Sequence, residues 1–395
     1  MNSLFIVLFS ISLSSSIITP LVGPIIFSDT GFFKLAPLAY KMNMYALVMG
    51  IYPLGAIIGN PVLGFLSDKI DKKKVLLLAI LGTILAYNIC SFSFILSMFF
   101  LLVMGRFLDG LMAGRRAIAI SLLADNSTNM NDVFRRAETA NAVGLLVGPL
   151  FSGFIASQTK SVNLHYYSFI FGFLLILCLI NLIFILKKIP SSTTLFSIEA
   201  KEKRLGLHQL CLYFIYFFIQ LSFYIYIVAL PPLLVVYWSF GPMAVGIVFS
   251  LLILFYSLSL IFLHPILNRQ YAYQTILYAG LLLAAMFLIL LSIPSRHLGL
   301  FIFINFSIVV SFSFIAPYIQ AKVFDRNNKH PGLALGIQNS VLGFSCLFAA
   351  MMISILSIQY YLLLFAVAGI CLFLAMISLW CINQLLFKIK GIYLC

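Results

Sequence analysis

The stretch LLVMGRFLDGLMAGRRAIAISLLA, residues 101–124, reads as a membrane-spanning helix that carries Arg106, Asp109, Arg115 and Arg116 between its ends. A charge near the middle of such a helix costs roughly 2.5–3.5 kcal/mol even on lenient insertion scales. Four of them would ask for something on the order of 10 kcal/mol unless they face water or one another. At about 100° per residue, Arg106, Asp109 and Arg116 share one sector of ~80°, and Arg115 lies about 100° further round. Three of the four can therefore look into one polar space. The structural alternative is an Arg–Asp pair that merely pins helices together. The reading favoured here is a solvated pathway for a substrate or a proton.

Outward from this stretch the composition sets the class. The 395 residues are 63% hydrophobic and only 9% charged, where a soluble domain would carry about 25% charged residues. This is a polytopic membrane protein. The net charge of +14 does not imply nucleic acid, because membrane proteins concentrate Lys and Arg on cytoplasmic loops, and no polar basic domain is available to hold DNA or RNA. The seven cysteines are scattered through apolar runs without metal or disulfide spacing. There is no G-x-x-x-x-G-K-[ST] loop, no catalytic cluster and no cofactor motif, so neither enzyme activity nor direct use of ATP is expected. The N-terminal MNSLFIVLFSISLSSS has no basic leader and its apolar run continues past Ile26, so it reads as an uncleaved first span.

Apolar runs of about 20 residues, enough to cross a bilayer, fall at 3–27, 44–66, 75–94, 97–122, 137–157 and 166–186, then at 208–237, 243–264, 274–293, 298–321, 332–357 and 360–386. That makes twelve, in two sets of six: a first bundle over 1–186, a cytoplasmic linker over 187–207 with room for a short amphipathic helix, and a second bundle over 208–395. With both termini inside, 17 of the 24 Lys and Arg face the cytoplasm, four face outwards and three lie in the fourth span. A flipped topology would reverse that bias. The acids fall beside the inner loops, apart from Asp29 outside, Glu138 at the inner end of span five, and Asp109. If a carboxyl titrates inside the bilayer, it is Asp109.

Three patterns carry more specific information. Gly64-Phe-Leu-Ser-Asp68-Lys69-Ile-Asp71-Lys72-Lys73-Lys74 forms a tight inner turn in which Gly64 permits close helix approach, Asp68 can sit at a helix terminus and the lysines meet the anionic inner surface. It resembles the G-x-L-x-D-[RK]-x-G-[RK]-[RK] signature of the major facilitator superfamily, with Asp71 where that family usually has glycine. Arg106-Phe-Leu-Asp109-Gly110-Leu-Met-Ala-Gly114 is similar to the R-x-x-[QSD]-G-x-x-x-G pattern of the same family. Gly144-Leu-Leu-Val-Gly148-Pro149-Leu-Phe-Ser-Gly153 resembles the G-x-x-x-G-P-x-x-x-G motif of its twelve-span drug:proton antiporters. Together these cover about 59–153; the second half matches in span count and layout only, with His264-Pro-Ile-Leu-Asn268-Arg269 a worn copy of the inner turn.

The resemblance implies an all-α membrane fold of two pseudo-symmetric six-helix bundles around a central cavity, working by alternating access. It implies proton coupling through Arg106, here with Asp109, and a conformational gate at Gly64, Asp68, Lys69 and Lys73. Gly144, Gly148, Pro149 and Gly153 allow close packing and a bend in span five. The tetracycline-type exporters that the chain resembles have small residues where Arg115 and Arg116 stand. Two extra arginines with one carboxylate leave the pocket net positive, and arginine forks carboxylates and phosphates bidentately.

The expected substrate is therefore a small organic anion, such as a multiply carboxylated metabolite or a siderophore-like chelator, exported by proton antiport. The alternatives are uptake of an anionic nutrient on the same fold and conventional export of lipophilic cations. Ser16 in the Ser12–Ser15–Ser16–Thr19 stripe, Tyr216 and Gln220 on span seven, Asn305 on span ten and Gln338 on span eleven are candidate substrate contacts; singly, such groups also serve as helix–helix glue. The expected partners are the substrate, protons and the lipid bilayer of the inner (plasma) membrane, the chain acting as a monomer.

Overall fold

The computed structural model describes residues 2–27, 31–125, 130–157, 165–188, 207–294, 297–323, 331–355 and 362–392. These are helical almost throughout: α1 (Asn2–Phe27), α2 (Leu38–Lys69), α3 (Lys72–Ile95), α4 (Phe99–Leu111), α5 (Arg115–Asp125), α6 (Met130–Ser157), α7 (Tyr166–Lys188), α8 (Leu207–Pro232), α9 (Pro242–Leu258), α10 (His264–Gln270), α11 (Tyr273–Leu291), α12 (Leu298–Val323), α13 (Pro331–Ile355) and α14 (Leu363–Ile392). Most of the expected linker, 189–206, lies outside the described residues.

Both faces of the long helices are largely apolar, which is the mark of a bilayer element rather than of a soluble one. On α3 the buried face is Leu76, Ala79, Ile80, Thr83, Ala86, Tyr87 and Cys90, while Leu78, Leu81, Leu85 and Phe92 are each more than half exposed at helical spacing. Among the described residues, ten helical stretches are long and apolar enough to cross a membrane, and Ala140–Ile155 is a shorter apolar one. The fourth pass is broken. α4 has 13 residues and α5 has 11, about 20 and 16 Å at 1.5 Å per residue, and they cross only together.

Packing divides the chain into two compact units. The first comprises Met1–Lys201, Val228–Ile253 and Arg326–Ile355. In it α1 lies along α6, α3 along α7, and α2 along both α4 and α13. The α2–α13 seam is tied near one end by Ser354 Oγ donating to Asn43 Oδ1 (2.8 Å) and near the other by the Leu333 amide donating to Asp68 Oδ2 (3.0 Å). Leu8, Leu76, Ile80, Ile118, Leu123 and Ile185 form part of an apolar cluster shared by α1, α3, α5 and α7.

The second unit comprises Glu202–Ile227, Leu254–Asp325 and Leu356–Cys395. Here α11 packs on α12 and α14, with Phe223 edge-on to Phe312 at 5.0 Å. The backbone widens to π geometry at Ser259–Leu263, where Ser259 Oγ meets Ser313 Oγ at 2.7 Å.

Close backbone approach decides two contacts in the first unit. A Cβ at Gly59 would collide with the Leu111 carbonyl, and one at Gly110 with the Tyr52 carbonyl, so α2 and α4 touch main chain to main chain. Gly172, by contrast, has nothing within 4 Å of a built Cβ. Gly59→Val is therefore expected to cost on the order of 1–3 kcal/mol or more through overpacking, and Gly172→Ala to cost nothing. The yield and melting temperature of the purified proteins measure the difference.

Candidate functional site

The centre of the first unit is a charge cluster assembled by α4, α5 and two neighbours. Its placement follows from glycine. Gly110 brings α4 against α2, and Gly105 brings it against Cys90 and the Ala86 carbonyl of α3. Arg106 then lies over the ring of Tyr52, its Cζ 4.6 Å from the ring centroid, a cation–π geometry. One turn on, Asp109 accepts from Arg106 Nη1 at 3.2 Å through Oδ2 and from Arg115 Nη1 at 3.0 Å through Oδ1. Asp109 is 2% exposed.

This corrects the expectation of a continuous fourth span. On an unbroken helix Arg115 would project away from Asp109. The structure interrupts the helix over Met112–Gly114, with Ala113 N donating to the Gly110 carbonyl and Arg115 N to that of Met112. Glycines 110 and 114 weaken the helix at this point. The break turns Arg115 inward, where Nη1 also donates to Thr83 Oγ1 (3.1 Å) and to the Met112 carbonyl (3.2 Å). The latter places a cation at the C-terminal end of α4, where the helix dipole favours it. Arg115, expected to be the arginine off the common sector, is thus the more deeply held of the pair. Arg116 is half-buried on α5.

The remaining expected site residues fall as follows. Asp68, buried near the end of α2, receives the amide of Leu333 in the first turn of α13 at 3.0 Å, a carboxylate at a helix N-terminus. Asp71 occupies the family's glycine position with φ −50° and ψ 117°, and its side chain accepts from Lys73 N at 2.9 Å. That backbone has no need of glycine, and the aspartate caps α3. Lys73 Nζ reaches the Leu186 carbonyl at the end of α7 (3.2 Å), Lys69 sits over Phe65 (4.1 Å), and Gly64 is buried within α2. Gly144 and Gly148 face α1: a Cβ at Gly148 would collide with Ser16 Oγ, and Ser16 itself donates to the Gly144 carbonyl at 3.1 Å. Ser16 is committed to helix pairing. The Pro149 carbonyl and Gly153 lie against Gly246 of α9.

Gln338 is buried on α13. Tyr216, Gln220 and Asn305 are buried in the second unit, where Asn305 accepts from Tyr226 Oη (2.9 Å) and donates to the Phe301 carbonyl (2.7 Å). The side chains of Thr19, Glu138, His264, Asn268 and Gln320 lie outside the described residues. Tyr52 and Thr83, which complete the charge cluster, were not singled out in the sequence. Each stands alone among apolar residues and carries no pattern that marks it.

Two arginines and an aspartate are thus buried together where the helix of the fourth pass breaks. The model of the Major Facilitator Superfamily matches residues 4–210, just over half of the sequence, and the chain belongs to that family. Over 114 residues it is 32% identical to the class B tetracycline resistance protein of Escherichia coli, 28% of each chain. Over 138 residues it is 29% identical to the class H protein of Pasteurella multocida, 34% of each chain. These matches span about a third or less of the relatives' length. Across nearly the whole chain the fold matches the crystal structure of the human organic anion transporter MFSD10 (TETRAN), with TM-score 0.75, 16% identity, and 96% of this chain and 98% of that one covered. It also matches that of a D-xylose–proton symporter, with TM-score 0.76, 13% identity, and coverage of 96% and 97%.

Asp109 is the anion that holds two buried cations. Replacing one member of such a group strands the other, at a cost of roughly 3–5 kcal/mol. Asp109→Leu is expected to lower the melting temperature sharply, and Asp109→Leu/Arg115→Met to recover most of the loss, because the double variant leaves the deeper cation site apolar. No recovery in the double variant would show that Arg115 is not what Asp109 stabilises.

Proposed function

We propose that this Major Facilitator Superfamily protein is a proton-coupled transporter of a small organic anion bearing one or more carboxylates. Alternating access takes place between the halves 1–186 and 208–395, with both termini cytoplasmic, as the distribution of basic residues supports. One observation supports the substrate class: among the described residues two buried arginines share a single buried aspartate, so these three groups together carry one net positive charge. An ionisable residue inside a membrane is expensive and belongs by default to function, and a surplus of guanidinium selects carboxylate or phosphate. A solved structure of the same fold is described as an organic anion transporter, which lends fold-level support.

Asp109 carries the proton and Arg106 couples it to substrate. Tyr216, Gln220 and Gln338, buried and polar, are the further contacts proposed for substrate. Asp68 at the N-terminus of α13 is the gate, holding one end of the α2–α13 seam closed. Removing its charge in Asp68→Asn leaves the oxygen but weakens the dipole interaction by about 0.3–2 kcal/mol. Transport rate should fall while substrate affinity in detergent stays within about threefold.

The resistance proteins that the chain matches support export by antiport. A second reading, uptake of the anion together with protons, is favoured by one observation: the carboxylate that would carry the proton is the same one that neutralises Arg106.

The substrate class is tested by a thermal-shift screen of the purified protein against size-matched carboxylated and cationic compounds, in wild type, Arg106→Gln and Arg115→Gln/Arg116→Gln. A ligand at about 100 times its dissociation constant stabilises by ~2.7 kcal/mol. Carboxylates should shift wild type and lose their effect in Arg106→Gln. Shifts by lipophilic cations alone, insensitive to the arginines, would make this a conventional multidrug exporter.

A further inference from the structure

Away from the charge cluster, α3 and α7 form an antiparallel pair fixed at both ends. Lys73 Nζ donates to the Leu186 carbonyl at 3.2 Å, which sets the first turn of α3 against the last turn of α7. At the opposite end Phe94 of α3 stacks on Phe171 of α7, ring centroids 5.5 Å apart. The turn from α2 into α3, Ile70–Asp71, lies at the lysine-bearing end of this pair.

That corner is strongly positive. Residues 68–74 and 186–188 carry six lysines and two aspartates. Both aspartates are engaged within the fold: Asp68 receives the Leu333 amide and Asp71 the Lys73 amide. Lys72 is buried, and Lys73 is spent on α7. Lys74, Lys187 and Lys188 are exposed.

Two of these exposed lysines also close an apolar stripe. On α3, Lys74 shares the outward face with Leu78 and Leu81; on α7, Lys187 shares it with Ile180 and Ile183. Spacings of three and four residues place each set on one side of its helix. From Lys74 to the end of α3 at Ile95 is about 32 Å at 1.5 Å per residue, and from Lys187 back to Tyr166 on α7 is the same. A bilayer's hydrocarbon is about 30 Å thick. The ammonium groups thus fall where lipid phosphates begin, with bare apolar side chains running away from them along the line of the acyl chains.

We propose that this corner is a binding site for an anionic phospholipid; the orientation given above decides only that the leaflet is the inner one. The phosphate lies between Lys74 and Lys187–Lys188, and the acyl chains follow Leu78–Leu81 and Ile180–Ile183. Lysine suits this task, because its stem packs along apolar surface while its head meets a phosphate as a compact point charge. A soluble anion uses half of the site, since it covers none of the exposed leucines and isoleucines. A zwitterionic lipid uses the other half, since its own ammonium offsets its phosphate. Lys73 is a positioning residue: by holding Leu186 it keeps Lys187 beside Lys74, so that little ordering is left for the lipid to bring about.

The test is native mass spectrometry of the full-length protein in detergent, titrated with phosphatidylglycerol or phosphatidylcholine of identical chains. Phosphatidylglycerol should be retained at concentrations where phosphatidylcholine is not. A lysine beside an anionic headgroup is worth about fivefold in affinity, so Lys74→Gln/Lys187→Gln/Lys188→Gln should weaken retention about a hundredfold. Lys34→Gln/Lys160→Gln/Arg296→Gln, which removes as many charges from the loops expected outside, should keep it. If the first variant does not fold, Lys74→Gln alone, with an expected loss of about fivefold, decides. Undiminished retention in the first variant, equal loss in both, or equal retention of the two lipids overturns the site. Inorganic phosphate that displaces phosphatidylglycerol at equal concentration overturns it as well, by making the corner a free-anion site. Each of these outcomes leaves the organic-anion reading where it was, since that reading is tested at Arg106.

Discussion

One carboxylate shared by two guanidiniums organises the first unit. Asp109 gives a separate oxygen to Arg106 and to Arg115, and each requirement of that arrangement is met by something else in the structure. Arg115 can reach Asp109 only if the helix breaks, and the helix breaks where Gly110 and Gly114 make it weakest. Arg106 can lie over Tyr52 only if α4 sits against α2 at backbone distance, and Gly59 and Gly110 allow that. Thr83 supplies the extra acceptor that Arg115 needs in an apolar surround. A buried ion pair is weak evidence of stability, because desolvation offsets most of the attraction. Among the described residues its three groups sum to one net positive charge.

The family and the span plan were legible in the sequence because they rest on signals that the membrane enforces: uninterrupted apolar runs, basic inner loops and glycines at fixed intervals. Eleven of the expected spans appear as helices, most of their limits within a few residues of those expected; α2 begins six residues early, α6 seven residues early, α14 runs six residues further, and short π segments fall in spans seven (Leu233–Tyr237) and eight (Ser259–Leu263). The fourth pass was different. Residues 101–124 score as one helix, and the break at Met112–Gly114 answers a tertiary ion pair that no local propensity records; the two glycines were its only trace. For the same reason the angular reading ranked Arg115 below Arg116 as a member of the polar sector. The stripe Ser12–Ser15–Ser16 was visible, but its use was not: Ser16 meets Gly144 and Gly148 of a helix more than a hundred residues away.

The departure at Asp71 has a local explanation. Glycine at a turn commonly answers a backbone need for positive φ, and here φ is −50°. With that need absent, a residue that caps the next helix is the better occupant. A departure from a family signature can thus be read for what the new residue supplies as well as for what the old one provided.

α2 holds Tyr52 beneath Arg106 and Asp68 beneath the first turn of α13 on one helix. Sixteen residues separate them, about 24 Å at 1.5 Å per residue. Pro53 and Pro61 lie between them, and each removes a backbone donor and lets the axis bend. Gly59 sits between the two prolines, held against α4 main chain to main chain. A displacement at either end of α2 meets a proline before it reaches that anchored middle, so the two ends behave as separate segments hung on one fixed point.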